Sequence, residues 1–310
     1  MQAQARITRG AAVELALLAV IWGASFLSIA VALREMGPLT AVLHRVGWAA
    51  LLLWAIALWR GERPPADPAA WLSFAVMGLL NNIVPFSLMA WAQTHVETGL
   101  VSILNAATAV FGAVVAAAIL PDERLTPLRA AGVAAGFAGV VAIIGAEALS
   151  GLDLRSLAQG AVGLGALSYA FASVWAKLRL RGVPPATAAA GMLTCSALMA
   201  APLAAAVEGW PTLALSPQAW AAVAWFAGLG TAAAYLLYYR ILATAGAANL
   251  MLVTLLIPPV AVALGAVALG ERVGPTAWFG YMLLGLGLIL IDGRSPRRLM
   301  RALRSPKRHG

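Results

Sequence analysis

Asn82, Asn105 and Tyr169 each stand within a long apolar run, where a side chain that needs hydrogen bonds is costly unless it meets a partner. An amide brings up to four hydrogen-bonding sites, more than a simple contact between helices satisfies. Ser25, Thr108, Thr231 and Thr254 share that setting, and Trp22 and Tyr235 add apolar faces with a polar tip. Several of these residues continue at helical spacing: Trp22, Ser25 and Ser28; Ser102, Asn105 and Thr108; Thr231, Tyr235 and Tyr238. Steps of three and four put each set on one helix face, turned toward a cavity or a neighbouring helix. Lining a cavity, they would hold a small polar solute by hydrogen bonds between aromatic walls. The competing account for the Ser and Thr members is bonding between helices without any ligand.

Charge offers fewer candidates. Arg45 is the one full charge well inside an apolar run, about seven residues from its start. It either reaches back to the surface along its own stem, or anchors an anionic group or pairs with Glu97. His44 and His95 could titrate near neutral pH and, with Glu97, couple solute movement to protons. An enzyme buried in the membrane would need a nucleophile with its base, paired carboxylates or clustered metal ligands, and none is legible. Gly23-Ala24-Ser25 superficially resembles a serine-protease corner, yet the histidines lie near run ends or in the tail. Gly132, Gly136 and Gly139 suit close helix packing; no strand precedes them and no phosphate-binding Lys follows. No metal and no cofactor, ATP included, is expected.

The elements that must position these residues follow from composition. Of 310 residues 62% are hydrophobic and 11% charged, whereas soluble domains carry about 25% charged residues. A water-soluble body of this size could not hide so much apolar surface, so the bilayer is the solvent. The lone Cys195 excludes an internal disulfide. Crossing a bilayer takes about 20 apolar residues as helix, and charged or Pro/Gly-rich breaks divide the chain into ten such stretches. They are placed near residues 11–33, 38–59, 69–92, 97–119, 127–145, 157–178, 185–207, 218–242, 246–269 and 275–292.

With the amino terminus in the cytoplasm, 17 of the 21 Lys and Arg fall on the inner side and only Arg34, Arg155 and Arg272 on the outer. The positive-inside rule then predicts both termini in the cytoplasm of a multi-pass inner-membrane protein. Seven of those cations lie in the tail at 294–310, which explains the net charge of +9. Such a tail reads as a contact for anionic lipid headgroups rather than for nucleic acid. Oligomeric state is not legible.

The two halves are self-similar. Trp22, Arg34 and Pro38 match Tyr169, Arg181 and Pro185 at an offset of 147 residues; Glu123-Arg124, Pro127, Gly132 and Gly139 match Glu271-Arg272, Pro275, Gly280 and Gly287 at 148. Five spans per copy reverse the second copy's sense of insertion. The predicted fold is therefore all-α integral membrane: ten transmembrane helices as two inverted five-helix repeats around a central cavity. Residues 1–147 form the first repeat, 148–293 the second and 294–310 the tail. Inverted halves can rock about a central site, which is the physical use of alternating access.

Trp22-Gly23-Ala24-Ser25-Phe26, Pro258, Gly270-Glu271-Arg272 and the Gly-rich last stretch resemble the drug/metabolite transporter superfamily, within it the EamA-type ten-helix transporters. The resemblance implies a secondary transporter of a small molecule, with export of amino acids, aromatic ones included, or related compounds favoured. Uptake or facilitated diffusion of another metabolite or a sugar stays open. The substrate-binding candidates are Trp22, Ser25, Asn82, Asn105, Thr108, Tyr169, Thr231 and Tyr235. The charge or coupling candidates are His44, Arg45, His95 and Glu97. Val110 stands where the second repeat has Pro258, so a proline-supplied helix break is expected in the second half alone.

Overall fold

In a computed structural model the protein is described over residues 9–96, 98–144, 156–260 and 275–292. Glu97, Arg155, the Glu271-Arg272 corner and the basic tail lie outside these residues. The described chain is all helical. Ten helices follow one another: α1 Arg9–Ala32, α2 Pro38–Trp59, α3 from Pro68 to Ala92, α4 from Thr98 to Ile119, α5 Pro127–Ile144, α6 Leu157–Arg179, α7 Pro185–Val207, α8 from Pro217 to Ala245, α9 from Ala247 to Val260 and α10 Pro275–Asp292. Among the described residues, α1 to α4 and α6 to α8 contain seven stretches long and apolar enough to cross a membrane; α5, α9 and α10 contribute shorter apolar helices.

The starts are written locally. Proline opens α2, α3, α5, α7, α8 and α10, at the position where its missing N–H costs nothing. Asp67 accepts the Ala69 N–H at 2.9 Å before α3, and Ser216 accepts the Ala219 N–H at 3.1 Å before α8. Gly246, at φ +85°, turns the chain from α8 into α9.

Two pairs of corresponding helices, α2 with α7 and α5 with α10, pack antiparallel. Glu62, just past the end of α2, accepts the Thr187 N–H at 3.1 Å and its hydroxyl at 2.6 Å in the first turn of α7. Glu208, just past the end of α7, accepts the Leu39 and Thr40 N–H groups, both at 2.8 Å, in the first turn of α2. Each helix thus receives an anion at its N-terminus, the end with unsatisfied N–H groups and positive dipole. Helices α5 and α10 repeat the arrangement in glycine. A Cβ on Gly132 would lie 2.7 Å from the Gly287 carbonyl oxygen, and one on Gly139 2.8 Å from that of Gly280. Only hydrogen fits there, so the backbones meet directly.

Helices α3 and α8 share a second correspondence. Both are continuous, yet α3 widens to π geometry over Leu79–Ile83 and α8 over Ala224–Ala233. An i→i+5 turn takes in one extra residue and turns all that follows by about 100° relative to an unbroken α-helix.

The proline expectation is corrected. Helix α4 breaks at Ala107, with no proline nearby, and α9 breaks at Leu252, six residues before Pro258, which lies in helix. Both halves therefore carry the break. At α9 the Thr254 hydroxyl donates to the Met251 carbonyl at 2.7 Å, serving a group near the interrupted ladder.

Candidate substrate cavity

The breaks and π turns surround one cavity. Its walls come from α1, α2, α3 and α4 of the first half and α6, α8 and α9 of the second, and it holds about 910 Å³ of empty space counted out to its open mouth. Trp22, Ser25, Asn105, Thr108, Tyr169 and Tyr235 all line it, as does Arg45. The α5–α10 pair and α7 stand outside and support it.

Tyr235 is the best-held wall residue. Its hydroxyl donates to Asn82 Oδ1 and accepts from Asn81 Nδ2 at 3.0 Å. Asn82 Nδ2 donates to Ser196 Oγ at 2.8 Å, and Ser196 donates to the Met192 carbonyl at 2.9 Å. Such a chain fixes the phenol, because every member is satisfied only in this arrangement. Tyr238 meets the Tyr235 ring edge-on, with centroids 5.7 Å apart at 88°. On the other side Trp22 Nε1 donates to the Gly230 carbonyl at 2.9 Å, joining α1 to the π segment of α8.

Two expected site residues stand behind this wall. Asn82 is fully buried in the network just described, while its neighbour Asn81 reaches the lining. Thr231 is fully buried too: it accepts from Arg45 Nε at 2.9 Å and donates to the Phe226 carbonyl at 2.7 Å. The π turn is the reason for the first shift, since it exchanges the faces that adjacent residues present.

Arg45 does not extend to the surface. Besides its bond to Thr231, its guanidinium lies 3.8 Å from the centroid of the Phe86 ring, which itself meets Tyr169 edge-on with centroids 6.4 Å apart. His44, by contrast, is turned away from the cavity: it accepts from Trp48 Nε1 at 3.1 Å and packs on Trp220 with ring centroids 5.8 Å apart. His95 is exposed, with Nδ1 2.8 Å from Thr94 Oγ1 and 3.0 Å from the Trp91 carbonyl. Neither imidazole lines the cavity, and Glu97 lies outside the described residues.

On one side of the bundle, charged groups join both halves. Lys177 at the end of α6 contacts Asp122 at 2.8 Å and Glu123 at 2.7 Å, and Glu123 accepts the Ala247 N–H at 2.8 Å at the start of α9. Close by in sequence, Arg129 of α5 donates to Asn249 Oδ1 at 2.9 Å. Lys177 holds the Asp122 carboxyl below its ordinary range.

Both halves of the sequence match one family, the EamA-like transporter family, over residues 11–145 and 159–292. The chain belongs to that family. A probable terminal-alkyne amino-acid exporter of Streptantibioticus cattleyicolor is 29% identical over 283 residues, covering 91% of this chain and 93% of that protein. The uncharacterized inner membrane transporter YedA of Escherichia coli (strain K12) is 26% identical over 277 residues, 88% of each chain. The uncharacterized transporter YoaV of Bacillus subtilis (strain 168) is 22% identical over 272 residues, 87% of this chain and 92% of that one. A crystal structure 20% identical in sequence superposes with a TM-score of 0.76, covering 96% of this chain and 100% of that one, which shows the fold.

This EamA-like protein is thus a multi-pass membrane transporter of a small molecule and not an enzyme. Sequence reasoning did not select Asn81, Phe86 or Tyr238 as site residues, although all three line the cavity. Asn81 could have been found only by foreseeing the π turn. Tyr238 carried a signal in its spacing from Tyr235, and Phe86 carried none.

Proposed function

We propose that this transporter exports small metabolites, amino acids and related compounds with an apolar or aromatic body, by alternating access through the cavity. The observation that carries the reading is the origin of the walls: Trp22, Asn81 and Thr108 come from one half, Tyr169, Tyr235 and Thr254 from the other, so rocking of the halves would change the exposure of every wall at once. The antiparallel packing of α2 on α7 and of α5 on α10 supports two inverted five-helix repeats, 1–147 and 148–293, with ten spans. The charge bias supports both termini and the lipid-binding tail at 294–310 in the cytoplasm of a bacterium, with the inner membrane as the location. The name of the Streptantibioticus relative supports amino acids as the solute class.

Among the described lining residues there is no imidazole and no carboxylate, which favours flux down the solute's own gradient over exchange for a proton. Purified protein in liposomes, tested with a panel of radiolabelled amino acids under a pH gradient of either sign, decides both points. Saturable flux of at least one member, indifferent to the sign of the gradient, is expected. Flux indistinguishable from empty liposomes for the whole panel would refute the solute class. Solute-dependent proton movement would replace downhill flux with proton exchange.

A further inference from the structure

Arg45 is the one formally charged residue among the described lining residues, and its charge is unbalanced. The ion pairs in the described residues join Lys177 to Asp122 and Glu123 and Arg240 to Glu14; none involves Arg45. Of the five guanidinium N–H groups, Nε is spent on Thr231 at 2.9 Å, and Nη2 leans on the Gly230 carbonyl at 3.5 Å, longer than an ordinary hydrogen bond. Nη1 has no partner among the described residues. The ring of Phe86 beneath the group attracts its charge without neutralising it. A guanidinium held in this way keeps an edge free for the two oxygens of a carboxylate, and in surroundings poor in water that pairing is stronger than in solution.

The rest of the lining offers only neutral partners. Asn105 Oδ1, Thr108 Oγ1 and Tyr238 Oη are buried with no hydrogen-bond partner among the described residues, so the amide oxygen can accept one hydrogen bond from a solute and the two hydroxyls can accept or donate one. None supplies the negative charge that would compensate a desolvated ammonium.

We propose that Arg45 anchors the carboxylate of the solute, and that the cavity takes small monocarboxylates with an apolar body, rejects cations and does not require an amino group. This rests on the transport reading only in taking the cavity as the solute site.

The test is isothermal titration of detergent-purified protein at pH 7 with 3-phenylpropanoate, phenylalanine and phenylalaninamide, three solutes with one aromatic body and different charges. The acid is expected to bind at least about tenfold tighter than the cationic amide, in line with charge-assisted hydrogen bonds, and no more weakly than phenylalanine. In Arg45→Gln the acid loses at least about tenfold while the amide is unchanged, which also shows that the variant is folded; Arg45→Lys, which keeps the charge without the fork, falls between. Equal binding of acid and amide by the natural protein, no binding of the acid, or undiminished acid binding by Arg45→Gln each overturns the proposal. Acid that binds but is not carried across liposomes leaves the anchor and removes the transport reading. Amide carried as well as acid does the reverse.

Discussion

Glu62 and Glu208 cap each other's helices: Glu62 follows α2 and serves the first turn of α7, and Glu208 follows α7 and serves the first turn of α2. A two-fold relation between two antiparallel helices produces such reciprocity, because whatever the end of one does for the start of the other is returned. The pair ties α2 and α7 together at both ends.

Loss of either carboxylate leaves two donors of a helix start unserved. Glu62→Ala and Glu208→Ala are each expected to cost about 1 kcal/mol, the usual worth of an N-terminal cap, and the two are expected to add, since they act at opposite ends of the pair. Melting temperatures of the single and double variants in detergent check this.

Glycine contacts between α5 and α10 give a sharper contrast. At Gly287 a Cβ would fall 2.6 Å from both the Gly132 carbonyl oxygen and the Gly136 nitrogen, while at Gly285 it would meet nothing within 4 Å. Gly287→Ala is expected to destabilise by about 1–3 kcal/mol, as overpacking of a close contact does, and Gly285→Ala to be neutral. Yield of folded protein and melting temperature after purification tell the two apart.

Asp122 makes part of the stability depend on pH. Lys177 depresses the carboxyl in the folded state, so its contribution is present above the unfolded value of about 4 and disappears as pH falls through the lower folded value. The loss in melting temperature caused by Asp122→Asn is therefore expected to be full at pH 6 and to shrink below about pH 4.

Asn82 bears on how the site is built. Because it is fully buried and bonded to both Tyr235 and Ser196, Asn82→Ala is expected to lower stability by about 1–3 kcal/mol as well as to impair flux. A residue that only lined the cavity, the role the sequence suggests for Asn82, would leave stability nearly unchanged. Tyr169→Phe, at a wall position, should keep stability near that of the natural protein. Thermal denaturation of the two variants side by side separates a supporting residue from a wall.

What was legible in the sequence was whatever depends on period and composition. Apolar runs punctuated by Pro38, Pro68, Pro185 and Pro217 mark helix starts, and the matched Gly132/Gly280 and Gly139/Gly287 register both the repeat and the α5–α10 contact. Trp22, Asn105 and Tyr169 face the cavity because their helices keep ordinary spacing up to those points, whereas Thr108 and Tyr235 face it from beyond a helix break and a π segment. Asn81 and Asn82 exchanged roles because a π turn rotates the helix, and no local residue type announces it. Nor could the stacking of Arg45 on Phe86 be foreseen, since it brings together helices 41 residues apart in a register set by tertiary packing.

Orientation is open to a simple check. Reporter fusions after residues 64 and 182 are expected to report cytoplasm, and fusions near 151 and 210 the opposite side, from the bias of 17 cations against three. Opposite signals at two or more positions would overturn the ten-span reading.

Alternating access means that one cavity, walled by both halves, opens to each side of the membrane in turn. It is tested most directly by placing a single cysteine at the wall, Tyr169→Cys with the native thiol removed by Cys195→Ser, and labelling sealed vesicles of known orientation with a membrane-impermeant thiol reagent. Alternating access requires modification from either side, each slowed by a transported solute. Modification from one side only, under every solute and gradient condition, would contradict it.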